Sequence, residues 1–215
     1  MIFSYLQMMI LFGGERGKHW GIKSKLDLPP TLNNSPVEVY FGIVVQNMGT
    51  LDAKDMSFQL DSYILLSWHD DRLAHNQSLK TISDFDHLQL VWLPDLYFAN
   101  AQQAYYQNVL VPNMVMYIEP NGTVEFSIRI TKKVSCHFYL ADYPMDLQSC
   151  SIRVLTYAHT EDELVVRWFD QDAIQRKAEI ILPEFEVFGV GTCYCNGLHA
   201  FRKSNHGQMI DDACS

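Results

Sequence analysis

Apolar and polar residues alternate along much of this chain. In MSFQLDSYILLSW, Met56, Phe58, Leu60, Ile64, Leu66 and Trp68 fall on one face, and Ser57, Gln59, Asp61, Tyr63, Leu65 and Ser67 on the other. A period of two is that of a strand, whose side chains point alternately to opposite faces. This stretch therefore predicts a half-buried strand. Tyr63 and Leu65 are exceptions on its polar face, and exposed apolar residues on such a face mark a candidate interface.

The same period recurs. SPVEVYFGIVVQNM predicts an earlier strand with Val37, Val39, Phe41, Ile43 and Val45 in register. MVMYIEPNGTVEFSIRI predicts a hairpin turning at Pro120-Asn121-Gly122, because Asn-Gly tolerates positive φ. Val124, Phe126, Ile128 and Ile130 share a face beyond the turn. SIRVLTY and ELVVRW continue the pattern through Ile152, Val154, Leu164, Val166 and Trp168, and AEIILPEFEVFGVG predicts a further strand interrupted by Pro183. Helical signals are weak; SDFDHLQLVW could hold one short turn capped by Ser83 or Asp84. Many short strands separated by turn signals imply an all-β, immunoglobulin-like β-sandwich.

Composition narrows the class. The 215 residues are 48% hydrophobic and 19% charged, which suits one globular domain with a sizeable core. A formal net charge of −9 repels phosphate backbones and sets nucleic acid aside as a partner. The opening MIFSYLQMMILFGG is too short to span a bilayer and lacks a basic start and a small-residue cleavage site. Residues 1–25 read as a leader or degenerate signal-like segment, or as a short packed segment, and 26–215 as the folded domain. No later run reaches the roughly 20 apolar residues of a membrane helix, so the chain reads as soluble.

Five cysteines occur, at 136, 150, 193, 195 and 214. An odd count leaves at least one thiol over. Cys136 and Cys150 bracket thirteen residues, CHFYLADYPMDLQSC, a ring that could be a stability staple, a metal site or a contact surface. Sequon triplets at Asn76 and Asn121 favour an oxidising, extracellular setting and glycosylation there; a third, at Asn33, is followed by Pro36 and is poor. Cys193, Cys195, His199, His206 and Cys214 hold zinc-type ligands, but one C-x-C without a second is nonspecific, and a disulfide suits that compartment better than a metal. No Gly-rich phosphate loop, G-x-S-x-G or H-E-x-x-H is present, so no enzyme, cofactor or metal is expected. WLPDLYFAN reads as core packing plus a turn at Pro94-Asp95, the Asp capping backbone N–H groups.

In order, SWHDDRLAHN, VWLPDLYFAN, NGTVEFSIRIT, CHFYLADYPMDLQSC and ELVVRW resemble the extracellular ligand-binding domain of Cys-loop receptors, pentameric ligand-gated ion channels. The resemblance spans about residues 26–185, and DLYFAN and FSIRI are similar to the glycine, GABA and glutamate-gated chloride branch. Acetylcholine-binding proteins, which lack a membrane part, share the fold. The resemblance implies a Cys136–Cys150 disulfide and a homopentamer with ligand held in an aromatic box between subunits. It implies Tyr97 and Tyr157 on the principal side, Tyr63 and Tyr117 on the complementary side, and Tyr194 in the capping tip. Ring faces attract cations, so such a box suits amines. It further implies that Phe138, Tyr143, Pro144 and Asp146 form a loop that passes binding to a membrane pore, a domain absent from this chain.

Two departures bear on the ligand. Relatives that bind amino acids commonly carry Arg two residues after the Tyr63 position and an acid two before the Tyr157 position; here these are Leu65 and Leu155. Losing a buried charge partner typically costs a ligand several kcal/mol. Tyr117 stands where glycine receptors have Arg. A bulky amine or an apolar molecule is therefore expected rather than glycine or GABA. Two readings of the C-terminus stay open. In one, Cys193 or Cys195 pairs with Cys214, Cys195–Cys214 being the candidate second disulfide, and the last strand is missing. In the other, Asn196-Gly197 turns a hairpin into a last strand. The competing functions are a channel subunit's ligand-binding domain and a stand-alone, secreted binding protein; a β-sandwich adhesion domain would bind no small ligand. Apolar Phe138, Tyr139, Leu140, Tyr143 and Met145 favour channel ancestry.

Overall fold

The computed structural model describes residues 28–30, 35–76, 78, 80–82, 88, 90–176, 180, 182 and 185–194. Ten strands are found there: β1 (Val37–Asp52), β2 (Ser57–His69), β3 (Lys80–Ile82), β4 (Leu96–Phe98), β5 (Ala101–Tyr106), β6 (Met114–Ile118), β7 (Thr123–Ser135), β8 (Val154–Thr156), β9 (Leu164–Trp168) and β10 (Ile174–Arg176). They form the expected β-sandwich. Eight strands make one sheet, with β10-β1-β2-β7-β6-β3 in order. β9 and β10 pair in parallel with successive halves of β1, and β6 and β5 pair with successive halves of β7. β4 and β8 form a separate two-stranded sheet.

The alternation places the core as expected. Phe58, Leu60, Ile64, Leu66 and Trp68 of β2 are buried, as are Val37, Val39, Phe41, Ile43 and Val45 of β1. Tyr63 and Leu65 are half-buried on the other face. Trp68 and Trp92 meet edge to face at 5.9 Å, which joins the loop before β4 to this core. A 3-10 turn at Asp71–Leu73, not signalled by periodicity, begins at Asp70, whose carboxylate accepts from Arg72 N and Nε.

The β6–β7 turn differs in detail from the expectation. Of the Asn-Gly pair only Gly122 takes a positive φ, +92°. Asn121 instead accepts from Thr123 N through its side chain, and Gly122 N donates to Glu119 O. Pro120, with its fixed φ, suits the first central position of such a turn. Glycine is also required by space: a Cβ at 122 would lie 2.6 Å from Asp70 O.

The strand expected over AEIILPEFEVFGVG is a correction. Its described residues, 180, 182 and 185–191, are not in a ladder, although Phe185 and Val187 are half-buried and Glu186 and Phe188 exposed. Alternation expresses a two-sided environment, whereas a strand also needs a partner. The strand forms earlier, at Ile174–Arg176, where β1 supplies that partner; the later segment is held by Arg176 Nη1 donating to Val187 O. Leu88 is helical and buried, but the proposed caps Ser83 and Asp84 lie outside the described residues.

Candidate ligand-binding site

WLPDLYFAN does more than pack. Leu96, Tyr97 and Phe98 pair antiparallel with Thr156, Leu155 and Val154. Asp95 then fastens the chain beyond β8: its Oδ2 accepts from Ala158 N at 2.6 Å and its carbonyl from Tyr157 N at 3.1 Å. This is the capping role expected of that aspartate. Thr156 Oγ1 donates to His159 O, closing the loop on itself. At the far end of β4, Asn100 accepts from Arg153 N and donates to Ser151 O and Ser135 O, the last of these on β7. These contacts bring the Tyr97 and Tyr157 rings edge to face, 5.9 Å between centres. Tyr157 is 71% exposed and Tyr97 half-buried.

Tyr63 stands elsewhere. It lies on β2 opposite Arg129 of β7, on the sheet face away from the buried alternate residues. The Arg129 guanidinium sits 5.8 Å from the Tyr63 ring centre and pairs with Asp61. The hydrogen bond to Asp61 raises the arginine above its ordinary pKa and keeps it charged. Tyr117 of β6 shares this face but stands opposite Glu125, four positions along β7 from the partner of Tyr63. Leu65 lies between Gly42 and Ser127. The structure thus brings together Tyr97 and Tyr157, and places Tyr63 and Tyr117 on a second surface at different heights.

A model of the neurotransmitter-gated ion-channel ligand binding domain matches residues 24–210. This chain belongs to the neurotransmitter-gated ion-channel ligand-binding domain family. It is 38% identical to the glycine receptor subunit beta-type 4 of Caenorhabditis elegans over 66% of this chain and 30% of that protein. It is 31% identical to the mouse (Mus musculus) gamma-aminobutyric acid receptor subunit theta over 75% of this chain and 26% of that one. Identity to the Drosophila melanogaster gamma-aminobutyric acid receptor alpha-like protein is 34%, over 65% and 20%. The chain therefore spans less than a third of the length of these curated relatives.

The remaining candidate residues stand as follows. Cys136 and Cys150 are bonded, with Cα atoms 5.3 Å apart. Inside their ring Phe138 is buried and joins the core, whereas Tyr143, Pro144 and their neighbours are exposed. Asp146 accepts from Gln148 Nε2, and the Gln148 side chain bridges both backbone groups of Tyr139. Tyr194 lies against β9: its hydroxyl accepts from Trp168 N at 3.2 Å, and Trp168 Nε1 donates to Cys193 O. Cys193 is exposed with a free thiol. Cys195, Cys214, His199, His206 and the Asn196-Gly197 turn lie outside the described residues. Asn76 and Asn121 are exposed. No helix among the described residues is long and apolar enough to cross a membrane.

Sequence reasoning missed Asp61, Arg129, Asn100 and Gln148. Arg129 had a usable signal: FSIRI places it in register with the outward residues of β7, and a cation there needs a partner on the neighbouring strand. Asn100 and Gln148 carried none, because their partners are backbone groups brought near only by folding.

Proposed function

We propose that this chain is the extracellular ligand-recognition part of a pentameric ligand-gated channel subunit. Its small-molecule ligand is held in an aromatic box where two copies meet. The observation that carries this reading is the surface-presented Tyr97–Tyr157 pair on the small sheet. Tyr63 and Tyr117 stand on the outer face of the large sheet, so a complete box takes a second copy, with Tyr194 from the capping segment. Leu155, directly across from Tyr97, and Leu65, two residues from Tyr63, line this box without charge. The cation near Tyr63 is already paired with Asp61. A bulky amine or an apolar ligand fits such surroundings better than a small amino acid, whose two charges need fixed partners.

The exposed apolar tip of the disulfide ring favours a channel over a stand-alone binding protein. Tyr139, Tyr143, Met145 and Leu147 are 67%, 70%, 90% and 79% exposed, which suits a surface that contacts a pore domain. Light scattering on a sizing column is expected to report five copies; a persistent monomer would overturn the shared box. Titration with glycine, GABA and glutamate beside acetylcholine and biogenic amines tests the ligand class. An amine is expected to bind, and micromolar glycine affinity would overturn that assignment. Fused ahead of a membrane pore, the chain is expected to gate current on ligand addition. A ring that binds and never gates would be the secreted binding protein.

A further inference from the structure

Among the described residues the β4–β8 sheet shares no ladder with the large sheet, so at the level of Tyr97 the two layers meet through side chains. At that junction sits a charge. Lys132 of β7 has no exposed surface, and its Nζ lies 4.0 Å from the centre of the Phe98 ring and donates to Ser62 Oγ at 3.0 Å. Phe98 neighbours Tyr97 on β4, and Ser62 neighbours Tyr63 on β2. An ammonium has three N–H donors. Here one goes to a hydroxyl and the ring face takes part of the charge, a thin replacement for water. Of the charged groups on the elements packed around it, Asp61 of β2 is the one whose field favours the ammonium, and it is committed to Arg129. β4 offers Tyr97 as its titratable group and β8 none; on β5, Ala104 stands directly opposite Lys132, with Tyr105 next to it.

We propose that Lys132 is a positioning residue that loosens the seat of Tyr97: its dry ammonium, wedged between Phe98 and Ser62, favours partial separation of the β4–β8 sheet from the large sheet. Separation lets water reach the ammonium. A neutral amine, or an apolar side chain of the same length, favours the closed arrangement. The direction is supported by desolvation, which pulls the Lys132 pKa down to about 8. The closed state therefore binds its proton less tightly than a hydrated, separated state does. The role given to Tyr97 rests on the function proposed above; the looseness of β4 does not.

Backbone hydrogen exchange on the full chain tests this, with rates corrected for the intrinsic effect of pH. In the wild type, protection of the β4 and β8 amides is expected to rise roughly tenfold between pH 7 and pH 9, as the ammonium is lost. Lys132→Met is expected to show higher protection at pH 7 and a flat profile. Phe98→Leu, which removes the ring face, is expected to lower protection with Lys132 present and to have little effect beside Lys132→Met. A flat wild-type profile overturns the inference without need of any variant, as do identical profiles in wild type and Lys132→Met. Acetylcholine titration over the same pH range is the second arm. Exchange that responds as stated in a protein that binds neither acetylcholine nor any other ligand of the panel would overturn the ligand-site reading and leave the control of β4 standing.

Discussion

Two tyrosines and one lysine concentrate the chemistry at the level of single residues. Tyr97 and Tyr157 offer aromatic surface, whose contact with a cation is worth about 0.5–2 kcal/mol depending on desolvation. If the proposed box holds an amine, Tyr157→Ala is expected to weaken its binding roughly tenfold, and Tyr157→Phe to change it little, because in that box the ring and not the hydroxyl would meet the ligand; a titration separates them. Lys132 gives a stability signature. The unfolded chain holds this amine at its ordinary 10.5 and the folded chain near 8. Between those values the unfolded state binds more protons, so the contribution of Lys132 to stability rises with pH. Relative to Lys132→Met, the wild type is expected to gain on the order of 3 kcal/mol from pH 8 to 10.5 in urea unfolding. Below pH 8 the buried charge is a standing cost, and the variant is expected to be the more stable protein.

At the scale of elements, two local devices carry predictions. Gly122 combines φ of +92° with a Cβ position 2.6 Å from Asp70 O. Gly122→Ala is expected to cost about 3 kcal/mol in equilibrium unfolding, because backbone strain and a backbone clash act together. Opening the disulfide with Cys136→Ser and Cys150→Ser is expected to cost roughly 3 kcal/mol, the loop-entropy value for a ring of this size. Most of the fold was legible at this scale. The long strands β1, β2 and β7 read directly, because one face of each is buried and the other is not, which is the condition that writes a period of two. β3, β4, β8 and β10 are three residues long, too short to show a period. β5 has neither a buried face nor alternation: Gln102 to Tyr106 are all exposed. The candidate site was half legible. Tyr63 betrayed itself as an aromatic on a polar face, whereas the meeting of Tyr97 with Tyr157 depends on a β4–β8 pairing across more than fifty residues of chain. Lys132 was least legible: KK at 132–133 reads as surface charge, yet Lys133 pairs with Asp55 while Lys132 is sealed in the core.

For the whole molecule, the net charge of −9 and the apolar tip of the disulfide ring pull in opposite directions. Charge keeps copies apart, and salt screens that repulsion beyond about 10 Å at 0.1 M. In added salt, the isolated chain is expected to form species larger than the proposed five-copy ring, measured by light scattering; Met145→Lys with Leu147→Glu is expected to abolish them and leave the five-copy species. Unchanged large species in that double variant would place the sticky surface elsewhere. The tip is also held stiffly, since Gln148 pins Tyr139 while Phe138 is anchored in the core. A stiff greasy end cannot fold back to hide itself from water. Once salt has lifted the charge repulsion, rings of the kind proposed are therefore expected to stack end to end, and a copy number taken there, unlike one taken at low salt, counts rings multiplied by tiers rather than subunits around one axis.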